Sequence, residues 1–308
     1  MKNAVSVSRL SKSFRGKEVL KDVSFTVPRG TTYALLGANG AGKTTTVRIL
    51  ATQLKADGGW AEIAGYDISG QPREVRGAIS LTGQFSAVDE ALTGKENLLM
   101  MAKLWQVSDP EKNAEKLLRV FGLTQAEDQR VSVWSGGMKR KLDIAMSLIG
   151  NPQVVFLDEP TTGLDPQSRR SMWDMIRRLN REGITIFLTT QYLEEAEQLA
   201  DRIAILHHGR ILAEGTAGEL KARLPRGTLR LVFENTETLK KAEVLLEGFQ
   251  TAAEGERGLA VYTDGKADTT ARIFYLLYRQ DIHVQDYSQT TPNLEDVFLA
   301  MTSEGRIL

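Results

Sequence analysis

Residues 31–50 read TTYALLGANGAGKTTTVRIL, and no other stretch narrows the possible folds as far. A short apolar run, Tyr33 to Leu36, meets a turn with glycines at 37, 40 and 42. A helix-forming segment follows. From Gly37 to Thr44 the spacing is G-x-x-x-x-G-K-[ST]. Glycines let the backbone close tightly, so that its N–H groups point into the turn. The helix N-terminus adds positive potential. Gly37, Ala38, Asn39, Gly40, Ala41, Gly42, Lys43, Thr44 and Thr45 are therefore expected to cradle the phosphates of a nucleotide. Lys43 would reach the β- and γ-phosphates, and Thr44 would place its hydroxyl on Mg²⁺. A chance Gly-rich turn is the plain alternative, and the flanking strand and helix weigh against it.

A second buried strand, VVFLD, ends on two acids, Asp158 and Glu159. Beside a phosphate cradle, Asp158 would hold the Mg²⁺ shell. Glu159, one residue on, would polarise an attacking water. The plain alternative is a strand-end turn before Pro160.

Around these motifs the pattern alternates between strands and helices. Val5 and Val7, and Val23, Phe25 and Val27, read as half-buried strands. Residues 75–82 (VRGAISLT) read as another strand. From about 88 to 150 the pattern is helical, with Ala114, Leu117, Leu118 and Phe121 on one face. VVFLD and ITIFLTT flank a helix that carries Met172, Met175, Ile176 and Leu179. RIAILHHGRILAEG reads as a hairpin turning at His208-Gly209. This order predicts an α/β fold with a mainly parallel sheet covered on both faces. After about residue 220 three strands and two helices follow in β-α-β-α-β order, a small α+β domain. The expected domains are 1–220 and 221–308.

Composition excludes some classes. The 308 residues are 42% hydrophobic and 25% charged, with 39 basic and 39 acidic side chains and no cysteine. A zero net charge without a basic block gives no footprint for nucleic acid. Disulfides and thiolate metal sites are excluded, and a reducing cytoplasm fits. The longest apolar run, Ile273 to Tyr278, is far short of the roughly 18 residues of a membrane span. The chain is expected to cross no membrane by itself. His207, His208 and His283 have no acidic or cysteine cluster at metal spacing and read as solvated.

VWSGGMKRKLDIAMSLI places Ser135, Gly136 and Gly137 before an amphipathic helix. Ser135 reads as an N-cap, and the same group forms an anion site. Its position between GANGAGKTT and VVFLDEP resembles the signature of ABC ATPases, and no N-K-x-D guanine motif is present. The resemblance implies a P-loop NTPase fold of the ABC type, with antiparallel N-terminal strands and a helical subdomain at about 88–150. It implies further site residues: Gln84 on Mg²⁺ or the lytic water, Asp165 in the D-loop, and Phe14 stacked on adenine. Asp165 before Pro166 also makes a good helix start. In most of the family the strand after the paired acids ends in a histidine that reaches the γ-phosphate. Here Gln191 stands in that place. Its amide both donates and accepts but takes up no proton near neutral pH. The alternative is that Gln191 only starts the YLEEAEQL helix.

TTQYLEEAEQLADRIAIL, SGGMKRKLDIAMSLI and TPNLEDVFLAMT together resemble the daunorubicin-resistance branch of ABC ATP-binding subunits. Ala38 replaces a common proline, and Met138 the glutamine of the commonest signature. The resemblance implies an Mg²⁺-dependent ATPase acting as a head-to-tail homodimer. Each ATP would lie between Gly37–Thr45 of one subunit and Ser135–Gly137 of the other. It implies a separate transmembrane permease, docked near Gln84 and the segment 88–150. The expected place is the cytoplasmic face of the membrane, and the expected work is export of a small molecule, a drug or antibiotic. An importer subunit, or a non-transport ABC protein acting on nucleic acid or the ribosome, stays open. Leu294, Val297, Phe298 and Met301 share a helix face that either packs on its own domain or braces a dimer.

Overall fold

The computed structural model describes residues 3–83, 87–224, 227–290 and 293–302. The chain divides into two compact units, Met1–Thr216 and Ala217–Leu308. The division falls ahead of the boundary expected near Leu220.

The first unit opens with a long antiparallel pair, β1 (Asn3–Phe14) and β2 (Lys17–Pro28). Arg15 and Gly16 join them with φ of 48° and 80°. Two residues at positive φ match the twist of a tight hairpin, so the turn holds Phe14 at its tip. The strand β3 (Thr32–Leu36) is buried throughout and runs into the glycine turn and α1 (Lys43–Leu50). Next come β4 (Gly58–Ile63), β5 (Tyr66–Asp67), α2 (Pro72–Ala78) and β6 (Ile79–Thr82). The helical segment holds α3 (Gly94–Leu104), α4 (Pro110–Val120) and α5 (Gly136–Ser147). The unit closes with β7 (Val154–Asp158), α6 (Pro166–Arg181), β8 (Thr185–Thr190), α7 (Leu193–Leu199), β9 (Arg202–His207) and β10 (Arg210–Gly215).

Residues 75–82 are not one strand. Pro72 at the helix start and Glu74 in its first turn favour α2. Val75 and Ala78 are buried at helical spacing, and only Ile79–Thr82 extends. The pair β4 and β5, absent from the sequence reading, completes a four-stranded sheet of order β2-β1-β4-β5.

The second sheet has the order β10-β9-β3-β8-β7-β6, with β10 antiparallel and the rest parallel. An aromatic stack joins the two sheets. Phe25 lies 5.2 Å from Tyr33, Tyr33 5.6 Å from Phe187, and Phe187 5.3 Å from Phe156, ring centre to ring centre. With these rings packed, the strand register cannot slip. That register places Leu36 beside Thr190, Thr189 beside Asp158, and Leu157 beside Thr82. Four carboxyl ends therefore line one edge, where ligands bind in open α/β sheets.

The second unit contains α8 (Ala217–Lys221), β11 (Gly227–Phe233), α9 (Thr236–Leu245), β12 (Gln250–Glu254), β13 (Gly258–Thr263), α10 (Ala267–Arg279), β14 (Val284–Thr290) and α11 (Leu294–Thr302). The antiparallel order is β12-β13-β11-β14. From β11 to β14 this is β-α-β-β-α-β, the ferredoxin-like arrangement. The sequence reading lacked β12, whose QTAAE has neither a large apolar residue nor a fully buried one. Leu229, Leu231, Phe233, Leu239, Ile273 and Leu277 form the core. Leu294 and Val297 of α11 are buried, and α11 packs on α8 within the unit. Among the described residues, no helix is long and apolar enough to cross a membrane.

Candidate functional site

Gly37 receives the chain from β3 with no room to spare. A Cβ there would meet the Leu206 carbonyl at 2.4 Å. The turn then runs through Gly40 (φ 80°) and Gly42 (φ 113°), conformations that disfavour any side chain. Gly42 stands at the start of α1, and Thr46 donates its hydroxyl to the Gly42 carbonyl at 3.0 Å. The β9–β10 hairpin turn buttresses the loop: the Gly209 amide donates to Ala41 O at 3.1 Å. Ala38, Asn39 and Gly40 face solvent, and Thr44 and Thr45 are half-buried.

Lys43 is 4% exposed. Its ammonium donates to Gly37 O at 2.8 Å and Ala38 O at 3.2 Å, and lies 3.2 Å from a Glu159 carboxylate oxygen. Three oxygens surround a charge that would be costly to bury alone. An anion entering the loop would compete with all three.

Asp158 and Glu159 leave β7 on either side of a sharp turn. Asp158 is buried, and the Thr189 hydroxyl on β8 donates to its carboxylate. Glu159 adopts φ 49°. Its amide donates to the Thr189 carbonyl and hydroxyl, both at 3.1 Å, and Thr162 donates to its side chain at 3.2 Å. The turn thus leaves Asp158 in the sheet and aims Glu159 towards Lys43.

The loop, Glu159 and the first hairpin enclose an open cleft of about 760 Å³, lined by Phe14, Asn39, Lys43, Thr44, Glu159 and His208, among others. Phe14 is 45% exposed, with the Lys12 ammonium 5.4 Å from its ring centre. An exposed ring at a cleft mouth offers a stacking face. His208 lines this cleft, whereas the sequence placed it only at a solvated turn.

Thr44 and Asp158 offer oxygen donors, the kind Mg²⁺ takes. Among the described residues no cluster of three acidic or histidine side chains could cage a metal. The set fits a cation that brings most of its shell from phosphates and water. Gln84 lies outside the described residues.

Ser135, Gly136 and Gly137 are not in this cleft. Ser135 caps α5, accepting from the Met138 amide at 3.3 Å, and Ser135 and Gly136 are exposed. Asp165 caps α6, accepting from the amides of Gln167 at 3.0 Å and Ser168 at 2.9 Å. The hydroxyl and amide of Ser168 hold its carboxyl below the usual carboxylate range. Gln191 is half-buried in the bend after β8, and its side chain makes no hydrogen bond to a described residue. Helix α7 starts at Leu193 with Tyr192 as its cap, so Gln191 caps nothing.

Sequence reasoning missed Arg140 and Glu195. Arg140, in the second turn of α5, bonds carbonyls next to Glu159. Glu195 on α7 is fully buried, accepting from Thr161 at 2.6 Å and Trp173 at 3.1 Å. Arg140 stands in a basic KRK run and Glu195 in an acidic helix start, and such runs usually face solvent.

A family model described as ABC transporter matches residues 20–162. The daunorubicin/doxorubicin resistance ATP-binding protein DrrA of Streptomyces peucetius is 44% identical, over 97% of this chain and 92% of that protein. The chain belongs to the ABC transporter family. This ABC protein is also 44% identical to the doxorubicin resistance ATP-binding protein DrrA of Mycobacterium tuberculosis (98% of this chain, 94% of the other). It is 36% identical to the Nod factor export ATP-binding protein I of Burkholderia lata (97% and 96%). A solved ATP-binding subunit of an ABC transporter superposes with a TM-score of 0.64 at 32% identity, covering 71% of this chain and 92% of that one.

Proposed function

We propose that the chain binds MgATP in the Lys43 cleft and hydrolyses it as the ATPase subunit of an exporter for a small, drug-like molecule. The observation that supports this best is the Lys43–Glu159 pair, 3.2 Å apart inside a nucleotide-sized cleft with Phe14 at its mouth. Relatives named for drug resistance and Nod factor export support export over import or action on nucleic acid.

In this reading adenine stacks on Phe14 and the phosphates enter the amide cradle of Gly37 to Thr45. Lys43 exchanges the Gly37 and Ala38 carbonyls for phosphate oxygens, and this releases Glu159 to orient the attacking water. Thr44 and Asp158 would hold Mg²⁺, to which the family resemblance adds Gln84, and the ion would supply positive charge against the phosphates. Gln191 completes the water's orientation from the end of β8. Because Ser135–Gly137 lies outside the cleft of its own chain, a second copy supplies these groups head to tail, with Asp165 at the junction. ATP then favours the closed homodimer because it adds contacts made only there. Hydrolysis removes them, and a separate permease converts opening and closing into transport at the cytoplasmic face of the membrane.

The test is phosphate release from MgATP by the purified chain over a range of protein concentrations, with Lys43→Ala as control. A rate rising faster than linearly with protein, and abolished by the control, supports a composite site. A strictly linear rate would sink the composite site, and activity surviving Lys43→Ala would sink the assignment of the cleft.

A further inference from the structure

Arg140 occupies an unusual position for a residue in a basic run. Its side chain is 11% exposed. The guanidinium donates to Gly83 O at 2.6 Å, Pro160 O at 3.1 Å, Asp158 O at 3.3 Å and the Asp143 carboxylate at 3.1 Å. Three of the four acceptors are main-chain carbonyls. Two of them belong to the residues flanking Glu159, and the third follows the end of β6. The other Asp143 oxygen accepts from the Ala87 amide at 3.1 Å.

A plain buried ion pair needs only its partner. This one places three of its four hydrogen bonds on main chain at or just beyond the ends of β6 and β7. Glu159 holds φ 49°, a strained conformation for a residue with a side chain, which persists only where its surroundings fix it. Arg140 binds the carbonyls of the residues before and after it, Asp158 and Pro160. A planar fork with five donors spans such a set, whereas a lysine ammonium does not. Arg140 also sits about 7.5 Å along α5 from its cap Ser135, at 1.5 Å per residue. One rigid helix therefore carries both the exposed Ser135 group and the clamp on the Glu159 turn.

We propose that Arg140, braced by Asp143, is a positioning residue: it fixes the Glu159 turn and transmits displacements of α5 to it. This rests on the ATPase reading for its consequence in turnover, and on the clamp geometry alone for its structural part.

The experiment compares the full chain with Arg140→Lys, Arg140→Ala and Asp143→Asn. Amide hydrogen exchange is measured without nucleotide, MgATP affinity by calorimetry, and phosphate release at saturating ATP. In Arg140→Lys and Arg140→Ala, exchange over residues 158–163 rises by about tenfold or more while amides of β3 and α1 keep the parent's rates, as local opening requires. Turnover falls by about 30-fold with MgATP affinity within about threefold, the signature of a lost transition-state arrangement. Asp143→Asn lies between parent and Arg140→Lys in both readouts. The lysine variant keeps the charge and covers the case in which the alanine variant fails to fold.

Exchange over 158–163 at the parent's rate in Arg140→Lys overturns the proposal. So does a turnover loss no larger than the loss in affinity, or full rescue by lysine. A parent chain that takes up no MgATP sinks the ATPase reading instead, and the exchange measurement still decides the clamp.

Discussion

The Lys43 ammonium and a Glu159 carboxylate oxygen stand 3.2 Å apart, both almost shut off from solvent. Each is the other's counter-charge until an anion enters the loop. Glu159→Gln removes that charge and keeps a side chain of the same shape. Nucleotide affinity is expected to hold or rise, because Lys43 no longer gives up an ion pair to take phosphate. Hydrolysis should drop by about 10²–10⁴-fold, the usual worth of a general base. Single-turnover phosphate release and a nucleotide titration check this together. A variant that turns over within twofold of the parent would show that Glu159 only neutralises Lys43.

Gln191 has no structural task that would keep it in place. It caps no helix, and its side chain bonds to no described residue. Gln191→Ala should therefore leave the melting temperature within about 2 °C of the parent's, as substitutions away from core, caps and bonded networks usually do. If Gln191 orients water, turnover falls by about tenfold or more, the lower end for a positioned group in the transition state. An Ala variant as active as the parent would leave Glu159 working without it.

How far the sequence reaches is clear from individual residues. The strand, glycine turn and helix around Gly37 to Thr45 were legible because glycines at fixed spacing between an apolar run and a helix-forming segment have few other uses. Asp158 and Glu159 were legible as the acids ending an apolar run. Nothing in the sequence told that Thr189 would donate to Asp158, because that contact is set by strand register across residues 31 apart. Arg140 was hidden for the same reason: its acceptors are backbone carbonyls, which leave no side-chain pattern. The strand β12 was missed because an edge strand of small residues lacks the apolar alternation that marks a half-buried one. His208 read as solvated and is exposed, but a turn position says nothing about which cleft the turn borders.

The glycines separate folding from chemistry. At Gly37 an added Cβ meets the Leu206 carbonyl at 2.4 Å, and main chain cannot yield. Gly37→Ala should destabilise the fold by about 1–3 kcal/mol, as overpacking does. At Gly136 nothing lies within 4 Å of an added Cβ. Gly136→Ala should keep or raise the melting temperature, since alanine is the better helix former by about 1 kcal/mol. If the Gly136 amide faces a nucleotide on a second copy, the added methyl lowers turnover by about tenfold or more, as small displacements at a reacting centre do. Thermal melts beside phosphate release distinguish the two effects. A Gly136→Ala chain with full turnover would place the signature away from the nucleotide.

Glu195 gives stability a defined dependence on pH. Burial raises its pKa above 4.5, against the lowering effect of hydrogen bonds from Thr161, Thr190 and Trp173 and of the nearby Arg169 charge. The Arg140 guanidinium also feels its charge. One carboxyl oxygen, Oε2, is buried with no hydrogen-bond partner among the described residues. A carboxyl with a raised folded pKa binds its proton more tightly in the folded chain than in the unfolded one. Its contribution favours folding fully below the unfolded value and is lost as pH rises through the folded one. Glu195→Gln keeps an acceptor for Thr161 and Trp173 and removes the titration. The variant should therefore melt above the parent at pH 8, by about 2–4 °C for each kcal/mol gained in a domain of this size. The gap should close as pH falls towards the unfolded value, where the parent's carboxyl carries its proton. Asp143, also raised by burial, titrates in both chains and cancels from the difference. A variant less stable than the parent at pH 8 would mean that the carboxylate form is the one the Thr161–Trp173 site is built to hold.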